Sequence, residues 1–108
     1  MEIDLSYEND IAIAKICGRV DTIAARDFQG RLEGALASGS KRIILDMKDM
    51  AYISSAGLRS VLILSKKAQS SDVALIFCGM NDVVRKIFRV SGFSQFTTIA
   101  DNVEEAKG

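Results

Sequence analysis

The feature that most constrains the fold is a pair of continuous apolar runs, at residues 43–45 and 73–78. Neither run alternates apolar with polar side chains, which is the pattern of strands that are covered on both faces or central in a parallel sheet. Parallel neighbours are joined by long crossovers, usually helices. The runs therefore predict an α/β domain with inner strands at these two positions.

The segments before the first run indicate a hairpin and then a helix. Residues 3–7 and 11–16 are short strand-like stretches joined by the turn residues 8–10, which predicts an antiparallel hairpin. From residue 25 the apolar positions recur at helical spacing, at Phe28, Leu32, Ala35 and Leu36. Asp21 or Thr22 is expected to cap this helix, and Gly39 to end it.

Three more helices are expected after residue 53. The second begins at the Ser54-Ser55 pair and extends to residue 69, with Lys66 and Lys67 suited to its carboxyl end. The third is capped by Asn81 or Asp82, buries a stripe at Val83, Val84, Ile87 and Phe88, and ends at Gly92. A strand at 96–99 and a short helix at the capping-box spacing of 101–104 complete a mixed, mostly parallel sheet with four helices.

Composition bounds the function. At 108 residues, a single domain over 1–108 is expected. Fourteen basic and fourteen acidic residues cancel, so nucleic acid is not an expected partner. Histidine is absent, which excludes triad hydrolysis and histidine-based metal chemistry, and the two cysteines form no metal motif; neither metal nor cofactor is expected. The apolar runs are too short to cross a bilayer and the start lacks signal-peptide features, which predicts a cytoplasmic protein without membrane insertion.

Candidate functional residues gather where strands end. In open α/β sheets, sites lie at the carboxyl ends of strands and at the helices that follow. Asp21 follows the second predicted strand, Asp46 ends the third, and Ser54 and Ser55 begin a helix. A helix amino terminus presents unpaired N–H groups and a positive dipole end, which accommodate a phosphate.

Three motifs carry a family resemblance over essentially the whole chain. Gly-Arg-Val-Asp at 18–21, Ile-Ile-Leu-Asp-Met at 43–47 and Tyr-Ile-Ser-Ser-Ala-Gly-Leu-Arg at 52–59 resemble the STAS domain of bacterial anti-sigma factor antagonists. That family has a motif resembling Asp-Ser-Ser-Gly-Leu, whose first serine is phosphorylated. Aligning on Gly57-Leu58 puts Ser55 at the phosphorylated position. Ser54 stands where the family has Asp, and Ala56 replaces the second serine, which leaves Ser54 as another possible acceptor.

The resemblance implies a partner switch. The unphosphorylated chain, a monomer when free, would bind an anti-sigma factor or serine kinase. That kinase would use ATP to phosphorylate Ser55 and so release the chain, and a serine phosphatase would reverse the step. The implied partner contacts are Asp21, Asp46, Ser54, Ser55, Gly57, Leu58 and Arg59. The chain itself is expected not to be an enzyme.

Each of these residues also has a purely structural interpretation. Ser54 and Ser55 are preferred helix caps, and Asp21 and Asp46 suit a cap or a strand end. Gly57 is either a weak point in a helix or a point of close approach by a partner. Arg59 is either a solvated side chain or a contact, although a cation in the first turn opposes the helix dipole.

Three other functions remain to be weighed. A response-regulator receiver would also carry an Asp like Asp46, but it needs an acidic pair after its first strand and a late Lys-Pro, and this chain has no proline. An acyl-transfer enzyme is opposed by the absence of histidine and of a Gly-x-Ser-x-Gly elbow. The third alternative is a non-phosphorylated STAS scaffold subunit of a transport or membrane-associated assembly. The sequence distinguishes this scaffold poorly from the partner switch.

Overall fold

The opening hairpin has one strand much longer than the other. The computed structural model describes residues 1–108, and in it β1 (Glu2–Glu8) pairs antiparallel with β2 (Ile11–Val20). Asn9 turns the chain in the left-handed region, at φ 54°. Strand β2 extends past the pairing with β1, which ends at Cys17, and its last residues are free to pair elsewhere.

The sheet is mixed and mostly parallel, with six strands. β3 (Arg42–Asp46), β5 (Ala74–Cys78) and β6 (Thr98–Ala100) complete the order β1-β2-β3-β5-β6, with all pairs beyond the hairpin parallel. The predicted fold class is therefore confirmed. The sixth strand, β4 (Met50–Ile53), was not predicted, and it pairs in parallel with the end of β2.

Four α-helices accompany the sheet, as predicted. They are α1 (Ala24–Leu36), α2 (Ser55–Ser70), α3 (Asp82–Val90) and α4 (Val103–Ala106). A 3-10 turn over Phe93–Gln95 lies between α3 and β6. The predicted last strand was displaced, because residues 96 and 97 continue that turn through hydrogen bonds to the Phe93 carbonyl.

The core has two layers because the inner strands are buried on both faces. The larger cluster joins α1, α2 and α3 to the sheet through residues such as Phe28, Leu64 and Phe88. The smaller cluster contains Ile44, Ile76, Cys78, Ala100 and Ala106 and includes α4. Alternate residues of β3 enter different clusters, so this run is covered on both sides, as its unbroken apolar pattern predicted.

Side chains at the helix starts fix the chain direction after each strand. Asn81 accepts a hydrogen bond from the Val84 amide at 2.9 Å, and Asn102 accepts one from the Glu105 amide at 2.8 Å. The predicted stripe of α3 was wrong at one position: Val83 is 55% exposed, because Val84 and Phe88 fill the core side.

Candidate functional site

The ends of β2 and β4 lie side by side. Val20 and Ile53 are paired in parallel, and the Ser54 amide donates to the Val20 carbonyl at 2.8 Å. Asp21 and Ser54 are therefore the first residues beyond two neighbouring strand ends. We call this region the β2–β4 edge and define it as residues 21–23 and 54–55.

Ser54 is a structural cap. Its Oγ accepts a hydrogen bond from the Gly57 amide at 3.1 Å, and its carbonyl accepts one from the Leu58 amide at 2.9 Å. The residue is buried, and its hydroxyl oxygen already has a partner inside the protein. The capping interpretation is therefore confirmed for Ser54, and its burial disfavours it as a phosphate acceptor.

Ser55 differs from its neighbour in exposure. It is the first residue of α2, it is exposed, and its hydroxyl makes no hydrogen bond with the protein. The amide hydrogen bond of the cap goes to Ser54, so Ser55 contributes nothing to capping. The structure thus presents one free serine hydroxyl at the amino end of α2, and it belongs to Ser55.

Asp21 caps α1 from the other side of the β2–β4 edge. Its Oδ1 accepts from the Ala24 amide at 2.8 Å, and its carbonyl accepts from the Ala25 amide at 3.0 Å. The predicted cap is confirmed for Asp21 and not for Thr22, which makes no such bond. Asp21 is exposed and its second carboxylate oxygen accepts no hydrogen bond from the protein, so the carboxylate stays open to a partner.

Asp46 does not join this edge, contrary to the prediction. It pairs with Lys15, five positions before Val20 on β2, which places it roughly 16 Å away along the strand. Its Oδ1 accepts from the Lys48 amide at 3.2 Å and so shapes the turn into β4. The prediction was wrong because β3 and β4 pair with successive parts of β2 and end at different levels.

Gly57 and Leu58 pack inward. Gly57 is buried, and a Cβ there would lie 2.6 Å from Ile53 Cγ1 and 3.0 Å from Val20 Cγ1. The chain's own strands make the close approach that requires glycine here, which neither sequence interpretation anticipated, and a partner contact at Gly57 stays a prediction. Leu58 is half-buried against the core. Arg59 is exposed and takes part in none of the ion pairs.

Two features of the edge were missed by sequence reasoning. Ile23 is 90% exposed, the highest value among the exposed large hydrophobic residues, and it stands in the turn that Asp21 caps. An apolar residue between a cap and a helical stripe was the available signal. Arg19 lies over the Tyr52 ring, 4.6 Å from its centroid, a contact that depends on the unpredicted strand β4.

Other chemistry is sparse. No group of three or more His, Cys, Asp or Glu side chains is arranged to hold a metal ion. None of the helices is both long enough and apolar enough to span a bilayer. Away from the β2–β4 edge, burial and secondarily the charge of Asp46 raise the pKa of the Cys78 thiol to about 11.

The strand order of the sheet and the serine at the start of α2 agree with the protein family that the sequence motifs resemble. The chain belongs to the STAS domain family, whose model matches residues 2–106, and the resemblance seen in the sequence is confirmed. Among its relatives is BtrV of Bordetella bronchiseptica, named as a candidate anti-sigma factor antagonist. It is 31% identical over 106 residues, covering 98% of this chain and 91% of BtrV.

Solved structures share the fold. A candidate anti-sigma factor antagonist of Thermotoga maritima superposes with a TM-score of 0.90 at 20% identity, covering 97% of this chain and 91% of that one. The anti-sigma factor antagonist SpoIIAA in its unphosphorylated form gives 0.74 at 18% identity, with coverage of 96% and 92%. Its phosphorylated form, from Bacillus, gives 0.71 at 19% identity, with coverage of 92% and 91%.

Proposed function

We propose that the chain is a phosphorylation-controlled partner switch that binds an anti-sigma factor or serine kinase through the β2–β4 edge and is released when Ser55 is phosphorylated. The observation that carries the proposal is the contrast between Ser55, exposed with a free hydroxyl, and the buried, hydrogen-bonded Ser54. The relative BtrV, named as a candidate anti-sigma factor antagonist, supports the class of partner. The solved structure of SpoIIAA in its phosphorylated form supports the modification.

The chemistry of the switch resides in the partners, and we assign no catalytic activity to the chain. In the kinase, Ser55 Oγ attacks the γ-phosphorus of ATP and the bond to the β–γ bridging oxygen breaks. ADP leaves, and the hydroxyl proton passes to a base on the kinase. A serine phosphatase hydrolyses the phosphoserine and restores the binding form. We place this cycle in the cytoplasm, where ATP is available, with the chain monomeric when free.

The partner surface follows from exposure. Asp21, Ile23, Ser55 and Arg59 are exposed around the β2–β4 edge, and we assign partner contacts to them. Ile23 supplies an apolar anchor, since burying a large aliphatic side chain contributes about 1.5–3 kcal/mol. Ser54, Gly57 and Leu58 pack behind this surface, whereas Asp46 lies roughly 16 Å away along β2 and is not part of it.

The charge of the phosphate explains why phosphorylation would release the partner. A phosphate on Ser55 adds about −1.5 to −2 charges at neutral pH. Inside a close interface such a charge must lose water, which is costly unless a cation on the partner receives it. The interface that forms with a neutral hydroxyl is therefore weakened once that hydroxyl carries phosphate.

The test maps the phosphate on protein treated with the anti-sigma factor kinase of its own host and ATP. Trypsin releases residues 49–59 as one peptide that contains both Ser54 and Ser55. Fragment ions that separate the two serines are expected to place a single phosphate on Ser55. The Ser54→Ala variant is the matched control and should still be modified, whereas Ser55→Ala should not. Phosphate on Ser54, or none, would refute the assignment.

Binding of the same kinase separates the hydroxyl from the charge. Ser55→Ala should bind with wild-type affinity in calorimetry and stay bound when ATP is added. Ser55→Asp should bind at least tenfold more weakly, which corresponds to about 1.4 kcal/mol. If the two variants bind with equal affinity, and the wild type carries no phosphate after treatment with the kinase and ATP, the scaffold function would be favoured instead.

A further inference from the structure

Arg59 stands one helical turn after Ser55 on the same face of α2. Residues four apart on a helix have Cβ atoms about 5–6 Å from each other, and an anion placed four residues before a cation is the favourable order. Helical side chains also lean toward the amino terminus, which directs the Arg59 side chain over the turn that holds Ser55. Both residues are exposed.

Arg59 lacks a carboxylate partner in the unphosphorylated chain. It takes part in no ion pair, and the first turn of α2 contains no acidic residue. The other three α-helices each carry a carboxylate in their first turn, at Asp27, at Asp82, and at Glu104 with Glu105. A cation near the positive end of a helix is unfavourable, so Arg59 sits in a position that a negative charge at residue 55 would relieve.

We propose that Arg59 holds the phosphate of phosphorylated Ser55 through a charge-assisted hydrogen bond within the chain. The inference rests on the proposed function, because it gives a second role to the residue that function modifies. The guanidinium presents several N–H donors in a planar fork that matches phosphate oxygens. Arg59 is thus a positioning residue that stabilises the phosphorylated form.

Three other charged residues lie around residue 55, and none of them is on α2. Asp21 lies on the neighbouring strand end and repels a phosphate, while Arg19 is stacked on Tyr52. Arg26 of α1 lines a groove with Arg59 between α1 and α2, and it is the next cation to consider. Only Arg59 lies on the same helix at the favourable spacing, so its removal should have the larger effect.

The experiment installs phosphoserine at position 55 during translation, so it needs no kinase. The second pKa of the phosphate is then measured by phosphorus NMR in the full chain. With Arg59 present, the pKa should lie below that of the Arg59→Gln variant by ~0.3 unit, about a twofold change in proton affinity. Arg59→Lys should retain part of this shift. Arg85→Gln, on α3, controls for the change in net charge and should leave the pKa at the wild-type value.

The thermal midpoint is a second readout, because an ion pair that forms only in the folded, phosphorylated chain stabilises the folded state. Phosphorylation should raise the thermal midpoint of the wild type more than that of Arg59→Gln, because only the wild type gains the pair. An equal phosphate pKa in wild type and Arg59→Gln, or the same shift in Arg85→Gln, would overturn the inference. A Ser55 that the host kinase never modifies would overturn the proposed function, yet leave this pair measurable, so the two failures are distinguishable.

Discussion

Gly57 is where packing and the β2–β4 edge are most directly coupled, and Gly57→Ala tests that coupling. A Cβ at residue 57 would lie 2.6 Å from Ile53 Cγ1 and 3.0 Å from Val20 Cγ1. Ile53 and Val20 are 1% and 0% exposed, so both side chains are enclosed by the core. The added methyl group therefore has to displace these side chains or move α2 away from the ends of β2 and β4.

The expected change in the free energy of unfolding is the sum of two opposing contributions. Overpacking a core costs typically about 1–3 kcal/mol, and the rigid surroundings of Gly57 place this site near the upper figure. Alanine recovers about 1 kcal/mol of helix propensity relative to glycine. We expect a net loss of about 2 kcal/mol in the free energy of unfolding. At a urea m value of about 1.5 kcal/mol/M, the midpoint would fall by roughly 1.3 M.

The matched control is Gly34→Ala in α1. Gly34 is exposed, and a Cβ there meets nothing within 4 Å. The same substitution should therefore stabilise the protein by about 0.4–1 kcal/mol. Urea unfolding followed by circular dichroism measures both variants. A Gly57→Ala variant as stable as Gly34→Ala would refute the claim that α2 approaches the strands too closely for any side chain.

Two further predictions concern titratable side chains. Asp21→Ala should lose about 1 kcal/mol of stability with the α1 cap, whereas Asp21→Asn should retain it because asparagine caps equally well; urea unfolding in which both match the wild type would contradict this. The pKa of Cys78 is raised to about 11 from an ordinary 9.0, so folding disfavours the thiolate. The free energy of unfolding should thus be unaffected well below pH 9 and fall as the pH rises from 9 toward 11. Cys78→Ala should flatten this slope in a pH series, and an unchanged slope would contradict the assignment.

The elements that the sequence predicted well are those fixed by local chemistry. Continuous apolar runs located β3 and β5, and the capping residues Ser54 and Asn81 located the starts of α2 and α3. Each of these signals acts over a few residues. They needed no knowledge of which segments meet in space.

Strand β4 was missed because its identity depends on a distant partner. It has four residues, and its pairing with β2 is irregular: Met50 lies opposite Gly18, whereas Tyr52 lies opposite Arg19. The extra residue between them breaks any simple alternation. Only the free end of β2 makes this segment a strand, and the length of β2 was underestimated in turn.

The errors at the site have the same origin. Strand-end reasoning placed Asp46 with Ser55, because it treats all strand ends of a sheet as one edge. Here β3 and β4 occupy successive parts of β2, so their ends lie at two levels. Gly57 was misread for a related reason, since the atoms that exclude a side chain there belong to Val20 and Ile53.

The same packing explains how a phosphate on Ser55, as proposed, would act without refolding the domain. The Ser54 amide donates a hydrogen bond that joins the start of α2 to β2, and the Ser54 hydroxyl caps the helix. Gly57 lets the helix pack closely against the ends of β2 and β4. Under the proposed switch, the larger free-energy change would therefore fall on the interface with the partner, which has to accept or reject the charge of the phosphate, and only the small contribution of a pair with Arg59 would fall on the stability of the domain.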